Sequence, residues 1–124
     1  DSKVTFEMGF SEDVGYKAGK YFSTLNPRPT AICCANDIIA IGVLTALHEC
    51  GIKVPEEMSV VGMDDIIYSR ISHPPLTSVT NDSQEFAENA FKLIFDRIEN
   101  KYKGKSREII IERSLVIRES VFGI

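Results

Sequence analysis

Two short apolar runs enclose a stretch of helical periodicity, and this pattern constrains the fold more than any other feature of the chain. The runs cover residues 30–35 and 58–62, and neither alternates polar with apolar side chains. Such runs are typical of strands buried on both faces of a parallel sheet. The apolar side of the intervening helix is marked by Ile38, Ile41, Leu44 and Leu47. The sequence therefore predicts a β-α-β unit with a right-handed crossover.

The same alternation of strand and helix continues on both sides of this unit. Upstream, the pattern predicts a short strand over 3–6 and a helix that begins after Ser11. Downstream it predicts a helical turn over 64–70, a strand over 76–80, a helix from Asp82 to about Tyr102, and a strand over 109–117. Strands separated by helices favour parallel pairing. The predicted fold class is α/β, with a Rossmann-like parallel sheet flanked by helices.

Composition narrows the class of protein further. The 124 residues suit one modest domain, and a formal net charge of −4 disfavours nucleic-acid binding by this chain alone. The chain has three cysteines, Cys33, Cys34 and Cys50. An odd number argues against a disulfide framework, so we expect the cysteines to be reduced and to serve as small core residues. No signal peptide is visible and the chain begins without Met, so it has the character of an excised piece.

Polar or aromatic side chains follow each predicted strand. They are Phe10, Asn36, Asp64 and Asn81, in chain order. In an open parallel sheet, ligands bind beyond the carboxyl ends of the strands, which share one edge. One ring, two amides and a carboxylate at that edge suit a neutral polar ligand such as a sugar or a nucleobase. These four residues are the candidate ligand site, and no metal or cofactor set accompanies them.

Helix capping is a competing explanation for several of these polar residues. Asn36, Asp37, Asp65 and Asp82 all stand where helix N-caps stand. Only one member of the adjacent pairs 36–37 and 64–65 can be a cap, so the other member needs a different role. Phe10, taken alone, would be a core residue more often than a ligand contact. The sequence leaves these alternatives open.

Five ordered motifs resemble the LacI/GalR family of transcriptional repressors. In this sequence they read Pro-Thr-Ala at 29–31, Ala-Asn-Asp at 35–37, Val-Pro-Glu at 54–56, Ser-Val-Val-Gly-Met-Asp-Asp at 59–65 and Pro-Pro-Leu-Thr at 74–77. The ending Leu-Val-Ile-Arg-Glu-Ser at 115–120 is similar as well. The resemblance covers nearly the whole chain. It departs at Met63, where an aromatic residue is usual, and at Asn81, where Gln or Arg is commoner.

The resemblance implies one lobe of a periplasmic-binding-protein-like fold, with a small effector held in a cleft between two lobes. Residues 1–124 would form the C-terminal lobe of a cytoplasmic homodimer, and operator DNA would be bound only by an N-terminal helix-turn-helix domain outside this sequence. By matched position, Phe10 would pack on the effector, and Asn36 and Asp64 would bond it. Asn81 matches a position that contacts effector in some members.

The resemblance also implies that the segment 82–107 packs on an N-terminal lobe. The apolar side of its helix would then be uncovered in this chain alone. A fragment of a periplasmic sugar-binding transport protein is the alternative with the same fold. An enzyme is disfavoured, because no glycine fingerprint follows the first strand and Gly104-Lys105-Ser106 lacks the earlier glycine of a P-loop.

Overall fold

A computed structural model describes residues 5–6, 9–80 and 83–123 of the chain. It divides into two compact units. The first comprises residues 1–80 and 115–124, and the second comprises residues 81–114. The first unit therefore contains both ends of the sequence, and the second interrupts it.

The first unit is built on a four-stranded mixed sheet. In chain order its elements are α1 (Glu12–Ser23), β1 (Ala31–Cys33), α2 (Asp37–Glu49), β2 (Ser59–Asp64), α3 (Ile67–Ile71), β3 (Thr77–Thr80) and β4 (Leu115–Val116). The strand order is β1-β2-β3-β4. The first three strands are parallel, as predicted, whereas β4 runs antiparallel to β3. The α/β class with flanking helices is confirmed, with one reversed strand at its edge.

Helices α1 and α2 pack closely where they cross, because glycines at the contact have no side chain to keep the two backbones apart. A Cβ atom on Gly15 would overlap the Ile39 carbonyl, and one on Gly42 would overlap the Glu12 carbonyl. Both glycines are buried. The close approach lets α2 pack on α1 and on the sheet at once. The core of the unit includes residues of α2 and of the sheet. Its fully buried members include Val43, Leu47, Met58, Val60 and Leu76.

Three local predictions are wrong at their margins. Of the strand expected over 3–6, Thr5 and Phe6 have no strand structure, and residues 3–4 lie outside the described residues. The final strand is confined to Leu115–Val116, because only Ser78 and Val79 of β3 pair with it. The strand over 30–35 is shorter than expected and is buried on one face only, as β1 has its middle residue buried and both ends exposed.

The second unit consists of α4 (Ser83–Ile98) and the segment that follows it. Tyr102 lies against the Arg107 guanidinium at 4.2 Å from the ring centroid, and Arg107 also pairs with Asp96 at 2.9 Å. These contacts fold the basic segment back onto its own helix. None of the residues of α4 is buried. In the described part of the chain, every helix is too short or too polar to cross a bilayer.

Candidate functional site

The strand ends place the candidate residues at one edge of the sheet. Asn36 follows β1 by three residues, and Asp64 is the last residue of β2. Asp64 is in register with Thr80, the last residue of β3, so the three parallel strands end side by side. Asn81 comes directly after Thr80 but lies outside the described residues. The expected juxtaposition of strand ends therefore holds for Asn36 and Asp64. Phe10, which was predicted to follow a first strand, follows no strand among the described residues.

Asn36 is the N-cap of α2. Its Oδ1 accepts a hydrogen bond from the Ile39 N–H at 2.8 Å, the arrangement that satisfies a free donor in the first helical turn. Its Nδ2 donates to the Phe10 carbonyl at 3.3 Å. Of the two members of the pair 36–37, the cap is Asn36. The same amide joins the segment that carries Phe10 to the edge of the sheet.

The Phe10 ring is open to solvent, with 73% of the residue exposed. The core alternative for this residue is therefore wrong in the described structure. Its backbone is held by Asn36, while its ring has no stacking partner among the described aromatic residues. An uncovered ring beside a strand end provides an apolar face against which a flat or sugar-like ligand can pack.

Asp64 ends β2 in a left-handed backbone conformation, with φ of 105°, and Asp65 follows with φ of 47°. Consecutive non-glycine residues in this region are uncommon and tend to occur at functional sites. The Asp64 side chain is half-buried, and among the described residues it has no hydrogen-bond or ion-pair partner. Its carboxylate is thus available to accept hydrogen bonds from a ligand.

Asp37 provides the internal support of this edge, a role that the sequence did not assign to it. The residue is fully buried and its carboxylate accepts three hydrogen bonds. The donors are Ser69 Oγ at 2.5 Å, Ser78 Oγ at 2.6 Å and the Ile66 N–H at 2.9 Å. A Cβ atom on Gly62 would overlap Asp37 Oδ1. One buried side chain therefore joins the start of α2 to the loop after β2 and to β3.

Arg118 forms an ion pair with Asp65. The distance from Arg118 Nη2 to Asp65 Oδ1 is 2.5 Å, and the two side chains are 14% and 12% exposed, respectively. Arg118 also donates to the Leu76 carbonyl at 2.7 Å, which fixes the guanidinium. Of the two roles left open for Asp65, capping of the next helix is wrong, since Ile66 occupies the N-cap position of α3 and the Asp65 carboxylate is paired with Arg118.

The pKa values of two groups in the first unit are shifted. They are the Cys34 thiol, next to β1, and the Glu49 carboxyl, at the end of α2. Burial raises the pKa of the Cys34 thiol to about 12, so this thiol is neutral at physiological pH. Cys33 and Cys50 are exposed, which corrects the expectation that all three cysteines are core residues. On α2, a hydrogen bond from Tyr16 and an ion pair with Lys20 lower the pKa of Glu49.

A cleft of about 1270 Å³ runs beside β1, lined mainly by apolar residues of α1, β1 and α2. Phe10 and Cys33 border it, but Asn36 and Asp64 do not. The cleft thus shares Phe10 with the edge where the strands end, but not Asn36 or Asp64. Part of its wall comes from Phe6 and Gly9, and residues 7–8 between them lie outside the described residues. We assign no ligand to this cleft.

The arrangement at the edge offers groups that can recognise a ligand. They are the exposed Phe10 ring, the Asn36 amide and the Asp64 carboxylate, which has no partner among the described residues. Asp37 and Arg118 fix the surrounding backbone. Within the part of the chain that the structure describes, no group of three His, Cys, Asp or Glu side chains could hold a metal ion.

Comparison with known proteins places this chain in a family. The model of the periplasmic binding protein-like domain matches residues 4–121. The chain is 40% identical over 120 residues to the HTH-type transcriptional repressor PurR of Mannheimia succiniciproducens, covering 97% of this chain and 36% of that protein. The chain thus spans about a third of the length of the curated relatives it matches.

Solved structures agree with the sequence comparison. A LacI-type putative transcriptional regulator from Bacillus cereus subsp. cytotoxis superposes with a TM-score of 0.88 at 32% identity, over 94% of this chain and 41% of that one. The complex of the transcriptional regulator CelR with cellobiose superposes with a TM-score of 0.83 at 31% identity, over 90% of this chain and 34% of that one. The predicted resemblance is confirmed. The chain belongs to the periplasmic binding protein-like domain family, in the form found in LacI-type regulators.

Proposed function

We propose that this chain is the C-terminal, effector-sensing lobe of a LacI-type transcriptional repressor that acts in the cytoplasm as a homodimer. It binds a small polar ligand of sugar or purine type, and the ligand modulates DNA binding by an N-terminal helix-turn-helix domain of the parent protein. The relatives support this role, since one is a repressor and another is a regulator in complex with cellobiose. The chain itself is not an enzyme.

The observation that carries the proposal is the edge where β1, β2 and β3 end together. Phe10 supplies a stacking face there, Asn36 an amide, and Asp64 a carboxylate that has no partner among the described residues. Asn81, next to Thr80, completes the proposed set. A ligand held at this edge and by the second lobe would favour one arrangement of the lobes, and that difference in affinity is what couples it to DNA binding.

Segment 82–107 is proposed to pack on the N-terminal lobe of the parent protein. Helix α4 has an exposed apolar side, and the matched relatives are long enough to contain a further lobe. A fragment of a periplasmic sugar-binding transport protein is the alternative, because the matching family is described as a periplasmic binding protein-like domain. The sequence upstream of this chain in its gene distinguishes them: a helix-turn-helix supports the repressor and a secretory signal supports the transporter.

The test is a thermal-shift screen of the full-length parent protein with glucose, sucrose, cellobiose, adenine, guanine and hypoxanthine. We expect one of these probes to raise Tm in a concentration-dependent manner. The site is then tested with Phe10→Ala, Asn36→Ser, which retains a capping hydroxyl, and Asp64→Asn, which tolerates positive φ. Each should weaken affinity for that probe at least tenfold.

Asp13→Asn is the control for this series, since Asp13 is exposed on α1 and pairs only with Lys17. Its affinity should equal that of the wild type. Unchanged affinity in all three site variants would remove the ligand-site assignment. A full-length protein that binds none of the probes would count against the sugar or purine class.

A further inference from the structure

We propose that Arg118 is a positioning residue for the ligand site proposed above: through its ion pair with Asp65 it holds the turn that presents the Asp64 carboxylate. The inference rests on the proposed function for the identity of the site. It adds Arg118, whose side chain bonds Asp65 and the Leu76 carbonyl and not the Asp64 carboxylate itself.

The first step concerns the backbone at Asp64 and Asp65. Both residues are left-handed, with φ of 105° and 47°, and neither is glycine. Side chains with a Cβ disfavour this region, so an unrestrained chain would relax to another conformation. The direction of the Asp64 carboxylate follows from these two dihedral angles. Something outside the turn must therefore hold it.

The second step identifies what holds it. The Asp65 N–H donates to Ser78 Oγ at 3.1 Å, and the next N–H, that of Ile66, donates to buried Asp37. These bonds fix the backbone from the side of the sheet. Among the described residues, the Asp65 side chain is paired with two arginines, and the shorter ion pair is the one to Arg118, at 2.5 Å.

The third step is that Arg118 is itself held firmly. Its backbone N–H donates to Thr77 Oγ1 at 2.9 Å, and Nη1 of its guanidinium donates to the Leu76 carbonyl at 2.7 Å. Two residues later, Ser120 is buried and bonds both Thr77 N–H and the Val60 carbonyl. The backbone around Arg118 is thus fixed to β3, and its guanidinium has an anchor at the Leu76 carbonyl that does not depend on Asp65. Arg118 therefore acts as a fixed point for Asp65, and Asp65 in turn for Asp64.

The structure supplies a matched control. Arg70 also approaches Asp65, but at 3.8 Å and with its side chain 61% exposed. A solvated ion pair of this geometry contributes little. Arg70→Met thus removes an arginine from the same carboxylate without removing the buried contact, and Arg118→Met removes the buried one.

The first measurement uses the full-length parent protein without ligand. Amide hydrogen exchange at Asp65 and Ile66 should become at least tenfold faster in Arg118→Met, while the core amides of Val43 and Leu47 keep their wild-type rates. Arg70→Met should match the wild type at all four positions, and Arg118→Lys should fall between. Unchanged exchange at Asp65 and Ile66 in Arg118→Met would overturn the proposal.

The second measurement is affinity for the probe that binds the wild type in the screen described above. Arg118→Met should weaken it at least tenfold and Arg70→Met should leave it unchanged. Asp65→Asn, which tolerates the left-handed conformation, should reproduce the loss, and combining it with Arg118→Met should add nothing further. Faster exchange with unchanged affinity would make Arg118 a structural residue only.

The two measurements separate the two proposals. If no probe binds the wild type, the assignment of ligand class fails by that result alone. Hydrogen exchange still decides whether Arg118 sets the turn, since it needs no ligand. If Arg118→Met does not fold, Asp65→Asn and Arg118→Lys carry both measurements in its place.

Discussion

A buried carboxylate with three donors is a demanding arrangement at the level of a single residue. Asp37 is fully buried, and among the described residues its carboxylate accepts hydrogen bonds from Ser69, Ser78 and the Ile66 N–H. Donors that lose such an acceptor remain buried and unsatisfied, which costs more than the bond itself contributed. Asp37 thus couples the stability of the first unit to the geometry of the ligand-binding edge.

Asp37→Asn tests this coupling with little change of shape. The amide places donors opposite donors, so we expect the free energy of unfolding to fall by about 3 kcal/mol, as for other buried groups that lose charged hydrogen bonds. Urea denaturation followed by circular dichroism measures it. The same substitution at exposed Asp13 should cost less than about 0.5 kcal/mol. Equal effects at the two positions would contradict a special role for Asp37.

The cysteines differ in burial, and chemistry should distinguish them. Cys33 and Cys50 are exposed, whereas Cys34 is buried and its pKa is raised to about 12. Only the thiolate reacts, so at pH 8 iodoacetamide should label Cys33 and Cys50 and spare Cys34. Mass spectrometry of the native protein gives the count, and labelling after denaturation should reach all three. Rapid labelling of native Cys34 would show that β1 opens readily.

At the scale of elements, the crossing of α1 and α2 depends on the absence of a side chain. Gly42→Ala would favour an isolated helix, since alanine has the higher helix propensity by about 1 kcal/mol. Here the added methyl meets the Glu12 carbonyl, so we expect a net loss of about 2 kcal/mol from displaced backbone. Thermal unfolding measures it. Thr45→Ala, exposed on the same helix, should change stability by less than about 0.5 kcal/mol.

Elements with strong local signals were predicted well, and those that depend on distant partners were not. The apolar runs gave β1 and β2 within two or three residues. The apolar side of α2 was identified in part: Leu44 and Leu47 are buried as predicted, whereas Ile38 is exposed. The prediction did not include Ile39 and Val43, which are buried. A helix packed against both α1 and the sheet is buried over most of its surface, so periodicity alone does not identify its inner face.

The candidate site shows the same division. Strand ends placed Asn36 and Asp64 on one edge because that follows from parallel topology alone. The supporting contacts of Asp37 and Arg118 could not be predicted, since Asp37 bonds Ser78 and Arg118 bonds Asp65 across 41 and 53 residues of chain. The single available hint was the pair 36–37, in which one residue had to serve a purpose other than capping.

For the whole molecule, the exposed side of α4 leads to a prediction about the isolated chain. Phe91 and Phe95 stack at 4.6 Å, and Phe91 and Ile98 are 62% and 67% exposed. Apolar surface of this kind favours association. We expect the isolated 124-residue chain to elute with about twice the mass of one chain in size-exclusion chromatography with light scattering. Phe91→Glu with Ile98→Glu should restore the monomer, and a monomeric wild type would contradict this expectation.

The antiparallel contact of β4 with β3 makes the second unit an excisable insertion. Val79 is paired with Leu115, so the chain leaves the sheet and re-enters it at neighbouring positions. Replacing residues 81–113 by Asn-Gly would join Thr80 to Ser114 as a tight hairpin, and no residue of α4 belongs to the core that would remain. Such a minimised protein should unfold cooperatively, and other inserts could be grafted at the same junction.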